Sequence, residues 1–169
     1  VLCRIVIALV RHPRADIPPG ICYGRTDLAL ADHTDIEPIA AQLRGFAGFV
    51  WTSPAQRCRV VADAIGPARV DRRLLELDFG EWEGCAWDDV PRIALDAWAA
   101  DPWGFAPPGG ETGAALVGRT RSFATEIATG DHVVVSHGGP LKVLRHILRG
   151  ASIDLLAPAP GLGSVMRIG

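Results

Sequence analysis

Residues 3–10, CRIVIALV, form a nearly continuous apolar and β-branched run that stops at Arg11-His12. A strand without a polar face must be covered on both sides, as strands are inside a parallel sheet flanked by helices. A second such run over 132–136, HVVVS, also ends on a histidine, His137, and two glycines follow it. Between and after these runs the periodicity predicts helices over 35–44, 54–65, 87–99, 111–128 and 140–148. Shorter strands are expected at 49–53 and 165–168, with an extended segment within 69–78. Ser53-Pro54 reads as the cap and first residue of the second helix. A polar loop carrying Pro and Gly spans 11–30, and a Pro/Gly-rich stretch spans 101–110. Strands alternating with helices imply an α/β fold, a three-layer α/β/α sandwich with a mostly parallel sheet. Such sheets bind ligands at the carboxyl ends of their strands, which is where His12 and His137 fall.

The 169 residues suit one domain without repeats or linkers, and 49% hydrophobic against 21% charged residues excludes disorder. A net charge of -2 excludes a general polyanion binder with a basic face, so no nucleic-acid partner is expected. No run reaches the ~18 apolar residues that span a bilayer. The apolar opening carries its charge after the apolar stretch, unlike a signal peptide. Cys3, Cys22, Cys58 and Cys85 lack metal-ligand spacing and read as reduced thiols of a cytoplasmic protein. The pattern leaves the oligomeric state open, a homodimer included.

Several short segments carry chemistry. Arg57 stands in the first turn of a predicted helix, where dipole and guanidinium both favour an anion. Arginine's planar fork matches phosphate oxygens. The run LELDFGEWEG, residues 75–84, sets carboxylates among aromatics and glycines. In an extended chain Glu76 and Asp78 share a face, which leaves two candidate acids. Gly80 is expected to break the strand and turn Glu81 and Glu83 toward water. No clustered carboxylates suit Mg²⁺, and no Cys-x5-Arg phosphate loop is present. Glycines 161 and 163 read as a turn.

Six segments in order resemble the histidine phosphatase superfamily, the phosphoglycerate mutase-like fold. They are LVRH ending at His12, GRTDLAL at 24–30, Thr52 to Arg57 with Ala62 downstream, LELDFGEWEG, PPGGET at 107–112 and VVSHGG ending at Gly139. The resemblance spans nearly the whole chain, 1–169, as one histidine phosphatase domain. Within the superfamily, RHPRAD, GICYGRTDLAL and the LDFGEWEG run are most similar to the α-ribazole phosphatases of cobalamin biosynthesis. The resemblance implies a phosphoric monoester hydrolase that uses no metal or other cofactor and acts on a small phosphate ester. It makes His12 the nucleophile and Arg11 and Arg57 the holders of the phosphoryl oxygens. His137 would donate to the same group, and Glu76 becomes the proton donor. Arg14, Tyr23, Gly24, Arg25 and Gly138 are the expected substrate contacts.

The chain departs from the family pattern where Pro13 replaces a glycine after the nucleophile, which deletes a backbone donor. Arg14-Ala15-Asp16 and Pro18 replace the family's polar loop residues. The 101–110 stretch, with Trp103 and Phe105, is expected to cover an aromatic leaving group. Two alternatives stand beside the phosphatase: a phosphoglycerate mutase, typically longer after the acid segment, and a non-catalytic phospho-ligand binder on the same fold.

Overall fold

The structure is a computed structural model that describes residues 5–169. Cys3 and Arg4, the start of the expected first strand, lie outside the described residues. The elements are β1 (Ile7–Arg11), α1 (Ile36–Gln42), β2 (Phe49–Thr52), α2 (Gln56–Ile65), β3 (Ala68–Val70), α3 (Arg92–Ala100), α4 (Gly113–Ala124), β4 (His132–Ser136), α5 (Gly138–Leu148) and β5 (Val165–Ile168). They build one sheet in the order β3-β2-β4-β1-β5. All pairings are parallel except β1 with β5.

The strands alternate strictly between two apolar faces. Ala8, Val10, Val50, Val133 and Val135 pack against Ile39 and Leu43 of the α1 region and Cys58, Val61 and Ala62 of α2. Ile7, Leu9 and Val134 pack on the other side with Leu74, Phe123 and Ile127, and with Leu141 and Leu144 of α5. Both faces are therefore covered, which is why neither β1 nor β4 shows a polar face in sequence. Each fully buried Val or Leu here contributes on the order of 1.5–3 kcal/mol.

A third cluster lies off the sheet. Trp82, Cys22 and Val90 are buried among Phe79, Trp87, Leu95, Trp98 and Phe105. Trp87 and Trp98 stack with centroids 6.2 Å apart, and Phe79 meets both edge-on at 5.5 and 5.8 Å. Helix α3 has no fully buried residue and docks through this cluster.

Element boundaries differ from expectation for local reasons. The helix expected over 87–99 is a 3-10 turn, Trp87–Asp89, followed by α3. Val90 is extended (φ −70°, ψ 129°), as a residue before proline prefers, and Pro91 cannot continue a helical ladder. Helix α4 starts at Gly113 because the Thr112 hydroxyl caps it, accepting from the Ala115 N–H at 3.1 Å. The 69–78 segment holds only the end of β3 before a 3-10 turn at Arg72–Leu74. The cap of α2 is Ala55 and not Ser53. Helix α5 begins two residues early, at Gly138, so that Pro140 occupies its first turn, where no N–H is needed.

Candidate active site

Neighbouring parallel strands bring the two histidines together. Arg11 pairs with Ser136 across β1 and β4, and the His12 N–H donates to the Ser136 carbonyl at 3.2 Å. The imidazoles of His12 and His137 follow with centroids 5.1 Å apart, edge to face. That spacing is close to the ~4.8 Å between adjacent strands.

The His12 ring is buried, and its Nδ1 lies 2.6 Å from the Pro13 carbonyl oxygen. A carbonyl only accepts, so Nδ1 carries the hydrogen and Nε2 keeps its lone pair. The chain thus uses the Pro13 carbonyl, which proline retains. Burial pushes the His12 pKa from 6.5 down to about 3; the Pro13 contact opposes this, and the Arg57 and Arg11 charges reinforce it.

Arg57 is fully buried. Its Nη1 donates to the Thr26 carbonyl at 2.8 Å and its Nη2 to the Gly24 carbonyl at 2.7 Å. The guanidinium lies over the Tyr23 ring, 5.3 Å from its centroid. Arg11 Nη1 donates to the Pro160 carbonyl at 2.5 Å. The Nε donors of both arginines are buried without a partner.

His137 caps the amino end of α5 and is fully buried. Its Nδ1 lies 3.3 Å from Arg57 Nη2 and its Nε2 lies 2.8 Å from the Ser53 hydroxyl. A guanidinium only donates, so Nδ1 accepts and the Nε2–H donates to Ser53. Burial, then the Arg57 charge, hold the ring well below its ordinary pKa.

Glu76 reaches the start of α5. Its carboxylate accepts from the Gly139 N–H at 3.1 and 3.2 Å and from the Leu77 N–H at 3.0 Å. The glycines make this approach feasible: a Cβ on Gly139 would run into Glu76 Oε1, and one on Gly138 would sit 3.2 Å from Arg11 Cζ. Its backbone is held too. Arg25 Nε and Arg119 Nη2 donate to the Glu76 carbonyl at 2.8 and 3.0 Å. Arg119 Nη1 also donates to the carbonyls of Arg73 and Leu75. Glu111 pairs with Arg119 at 2.7 Å and with Arg25 at 3.4 Å.

Glu83 does not turn toward water. Its carboxylate accepts from the backbone N–H groups of Gly24, Arg25 and Thr26 at 2.8–3.1 Å, from the Phe79 N–H at 3.2 Å and from the Thr26 hydroxyl. Those hydrogen bonds draw its pKa down against the effect of burial. The pinned loop supplies the two carbonyls that hold Arg57.

Two cavities open on this centre. One of about 200 Å³ is lined by Arg11, His12, Arg57, Glu76 and His137 with Ile21, Tyr23, Phe79 and Trp87. A larger one of about 410 Å³ shares Arg11, Glu76 and Phe79 and continues between α4 and α5 along mostly apolar walls.

All five residues expected to be catalytic therefore converge, and Tyr23 joins them. Gly138 borders the larger cavity. Gly24 lies behind Arg57, where a Cβ would strike the Leu77 carbonyl oxygen. Arg25 faces Glu76 and Glu111 and lines neither cavity. Arg14 is exposed, its carbonyl paired with the Ala31 N–H, and it also lines neither. Trp103 is 40% exposed and Phe105 packs on Trp82, so neither covers the site; Trp98 and Pro102 line the larger cavity instead. Sequence reasoning missed Ser53, Glu83, Glu111 and Arg119. Most of their partners lie far along the chain; the Glu111–Arg119 pair, eight residues apart, and the Phe79 contact of Glu83 are nearer but carry no helical signal.

The depressed His12 pKa sets a pH dependence of stability. Between 6.5 and about 3 the folded ring stays neutral while the unfolded one binds a proton. Stability from this group is full above pH 6.5 and falls on acidification through that window, by up to about 1.4 kcal/mol per pH unit. Denaturant unfolding at stepped pH checks this. The slope should flatten in His12→Asn, and an unchanged slope would assign it to other groups.

Fold and pocket together define a class: an α/β protein that gathers cationic N–H donors at the carboxyl edge of its sheet. The chain belongs to the histidine phosphatase superfamily, branch 1, whose family model it matches over residues 7–167. It is a phosphatase of that superfamily. A Hydrogenobacter thermophilus relative provisionally named phosphoserine phosphatase 2 is 28% identical over 166 residues, covering 88% of this chain and 80% of the relative. The glucosyl-3-phosphoglycerate phosphatase of Mycolicibacterium vanbaalenii is 26% identical over 180 residues, covering 94% and 80%. Among solved structures, the α-ribazole phosphatase of Shigella flexneri shares the fold, with a TM-score of 0.88 at 21% identity over 98% of this chain and 90% of that one. No helix among the described residues is long and apolar enough to cross a membrane.

Proposed function

We propose that this chain hydrolyses a small phosphate monoester through a phosphohistidine on His12. One observation carries the reading: the charges of Arg11 and Arg57 converge with Glu76 and His137 on one cavity, beside a histidine whose Nε2 lone pair is free. Neither guanidinium has a carboxylate within ion-pair distance among the described residues. Charges held out of water without a counter-ion are costly, and a phosphoryl dianion in the cavity offsets both. These N–H cations fit an anion and repel a metal ion.

In the first step His12 Nε2 forms a bond to phosphorus as the ester oxygen leaves and takes a proton from Glu76. In the second, the Glu76 carboxylate takes a proton from water, whose oxygen attacks phosphorus and returns His12 with free phosphate. Arg11 and Arg57 hold the phosphoryl oxygens throughout and offset the dispersed transition-state charge. Neutral His137 has spent its one N–H on Ser53, so it donates to the phosphoryl group only after taking a proton on Nδ1.

That requirement has a sign. The free ring is neutral near pH 7 and the anion-bound ring is cationic, so binding takes up a proton. Sulfate, doubly charged across this range, is expected to bind up to about tenfold tighter per pH unit of acidification. Titration calorimetry at several pH values checks it, and His137→Gln should weaken the dependence, the remainder belonging to His12, whose free Nε2 faces the same cavity.

For the substrate we infer a monoester with a ring-bearing leaving group, α-ribazole 5′-phosphate in cobalamin biosynthesis foremost. The motif pattern supports it, as do the aromatic side chains beside the site, Tyr23, Phe79 and Trp87 at the smaller cavity and Phe79 and Trp98 along the larger one that opens from it. The reading takes residues 1–169 as one histidine phosphatase domain acting in the cytoplasm, where the free thiols of Cys22, Cys58 and Cys85 stay reduced. Rapid quench during turnover tests the function. An acid-labile, base-stable protein phosphate that forms in EDTA is expected. Turnover without it, or only with added Mg²⁺, overturns the proposal.

A further inference from the structure

We propose that the 410 Å³ cavity receives the leaving group and that the Lys142 ammonium donates to a hydrogen-bond acceptor carried on it. This rests on the phosphatase reading above and names what that site selects.

The cavity begins at Arg11 and Glu76, so it is continuous with the place where the ester bond breaks. Beyond them its walls are largely apolar, with Leu77, Phe79, Trp98, Leu116 and Leu155 among them. Lys142 is the exception and is the only lysine in the sequence. It stands one turn along α5 from Gly138 and Gly139, on the face they present to Arg11 and Glu76. Its half-buried ammonium donates to the Leu155 carbonyl. No carboxylate among the described residues lies within ion-pair distance of it. An ammonium has three donors, and holding one half-buried with a single acceptor is unfavourable. Burial accordingly lowers its pKa, while Glu76 and Asp154 oppose the shift from a distance.

Arg11 and Glu76 are committed to the phosphoryl group and the bridging oxygen. Lys142 is the charge that remains for the rest of the substrate. Four residues of helix separate it from Gly138, a rise of about 6 Å. The acceptor it reaches therefore sits well away from phosphorus, across an apolar spacer. A neutral ring nitrogen and a carboxylate share that chemistry.

A purely structural role is the competing account. Arg145 and Arg11 also hold carbonyls of the following loop, those of Pro158 and Pro160. Loss of loop support would weaken every substrate alike.

The test uses benzyl, 4-pyridylmethyl and 4-carboxybenzyl phosphate with wild type, Lys142→Met and Lys142→Arg. The kcat/KM ratio of an acceptor-bearing ester to benzyl phosphate should fall about tenfold or more in Lys142→Met, as loss of a charge-assisted hydrogen bond implies. Lys142→Arg should keep most of it. A fall confined to the pyridyl ester identifies a ring nitrogen, and one confined to the carboxybenzyl ester a carboxylate. An unchanged ratio overturns the proposal, whether or not overall activity and Tm drop. Lys142→Gln supplies the same ratio if Lys142→Met does not fold. Phosphohistidine formation from benzyl phosphate in wild type reports separately on the underlying phosphatase mechanism.

Discussion

Replacing His12 with alanine is expected to abolish the trapped phosphoenzyme and to lower turnover by about 10⁴-fold or more, the scale at which covalent nucleophiles fail. The His12 backbone N–H donates to the Ser136 carbonyl and its ring Nδ1–H to the Pro13 carbonyl, which leaves the free Nε2 as the only lone pair the ring offers. Nothing else nearby can replace it. His137 has Nδ1 engaged with Arg57, and Cys58 is a buried thiol whose pKa is raised by desolvation. Alanine leaves Arg11 and Arg57 in place, so vanadate or phosphate should still bind. Substantial turnover by His12→Ala, with a phosphoenzyme still present, would remove the mechanism.

The second large effect belongs to Glu76. Glutamine has nearly the same shape, and its amide oxygen can still accept from the Gly139 and Leu77 N–H groups that hold the carboxylate. What it loses is the transferable proton. Phosphoryl transfer from an alkyl or sugar phosphate should slow by roughly 10²–10⁴ in Glu76→Gln. Nitrophenolate leaves without protonation, so phosphoenzyme formation from nitrophenyl phosphate should slow far less. Rapid quench isolates that first step. Glu81→Gln should show no such dependence on the leaving group, and the reverse pattern would move the acid to Glu81. Arg119→Lys keeps the charge but loses the fork that spans three carbonyls around Glu76. It should show the same dependence in weaker form, while a merely unfolded fraction would slow both esters equally.

What could be read from sequence was whatever repeats locally. The two central strands announced themselves because both faces are buried, and β4 and β5 begin and end where the pattern says. Arg57 was legible because a helix start is a local event, and the acid because one short run holds all the candidates. The supports were not legible. Glu83 meets Gly24 across 59 positions and Ser53 meets His137 across 84. In sequence, such a serine reads as a helix cap and such a glutamate as a solvated one. Pro91 was visible, yet the periodicity of 87–99 outweighed it; the restriction on Val90 prevails because a backbone clash costs more than one turn of helix contributes.

The aromatic cluster lies off the sheet and reaches the site through Phe79, which lines both cavities, and Glu83, which holds the 24–26 loop. His12, His137 and the two arginines stand on strand ends and helix starts and Glu76 on the segment between two 3-10 turns, whereas Trp87 and Trp98, which shape the space for the rest of the ester, hang on a short turn and on a helix with no residue in the core. Apart from Lys142 on α5, chemistry and choice are thus written in different stretches of the chain. A lineage could rewrite residues 86–105 and exchange one alcohol for another without disturbing the phosphoryl machinery. Directed evolution toward a new ester should gather its first gains there.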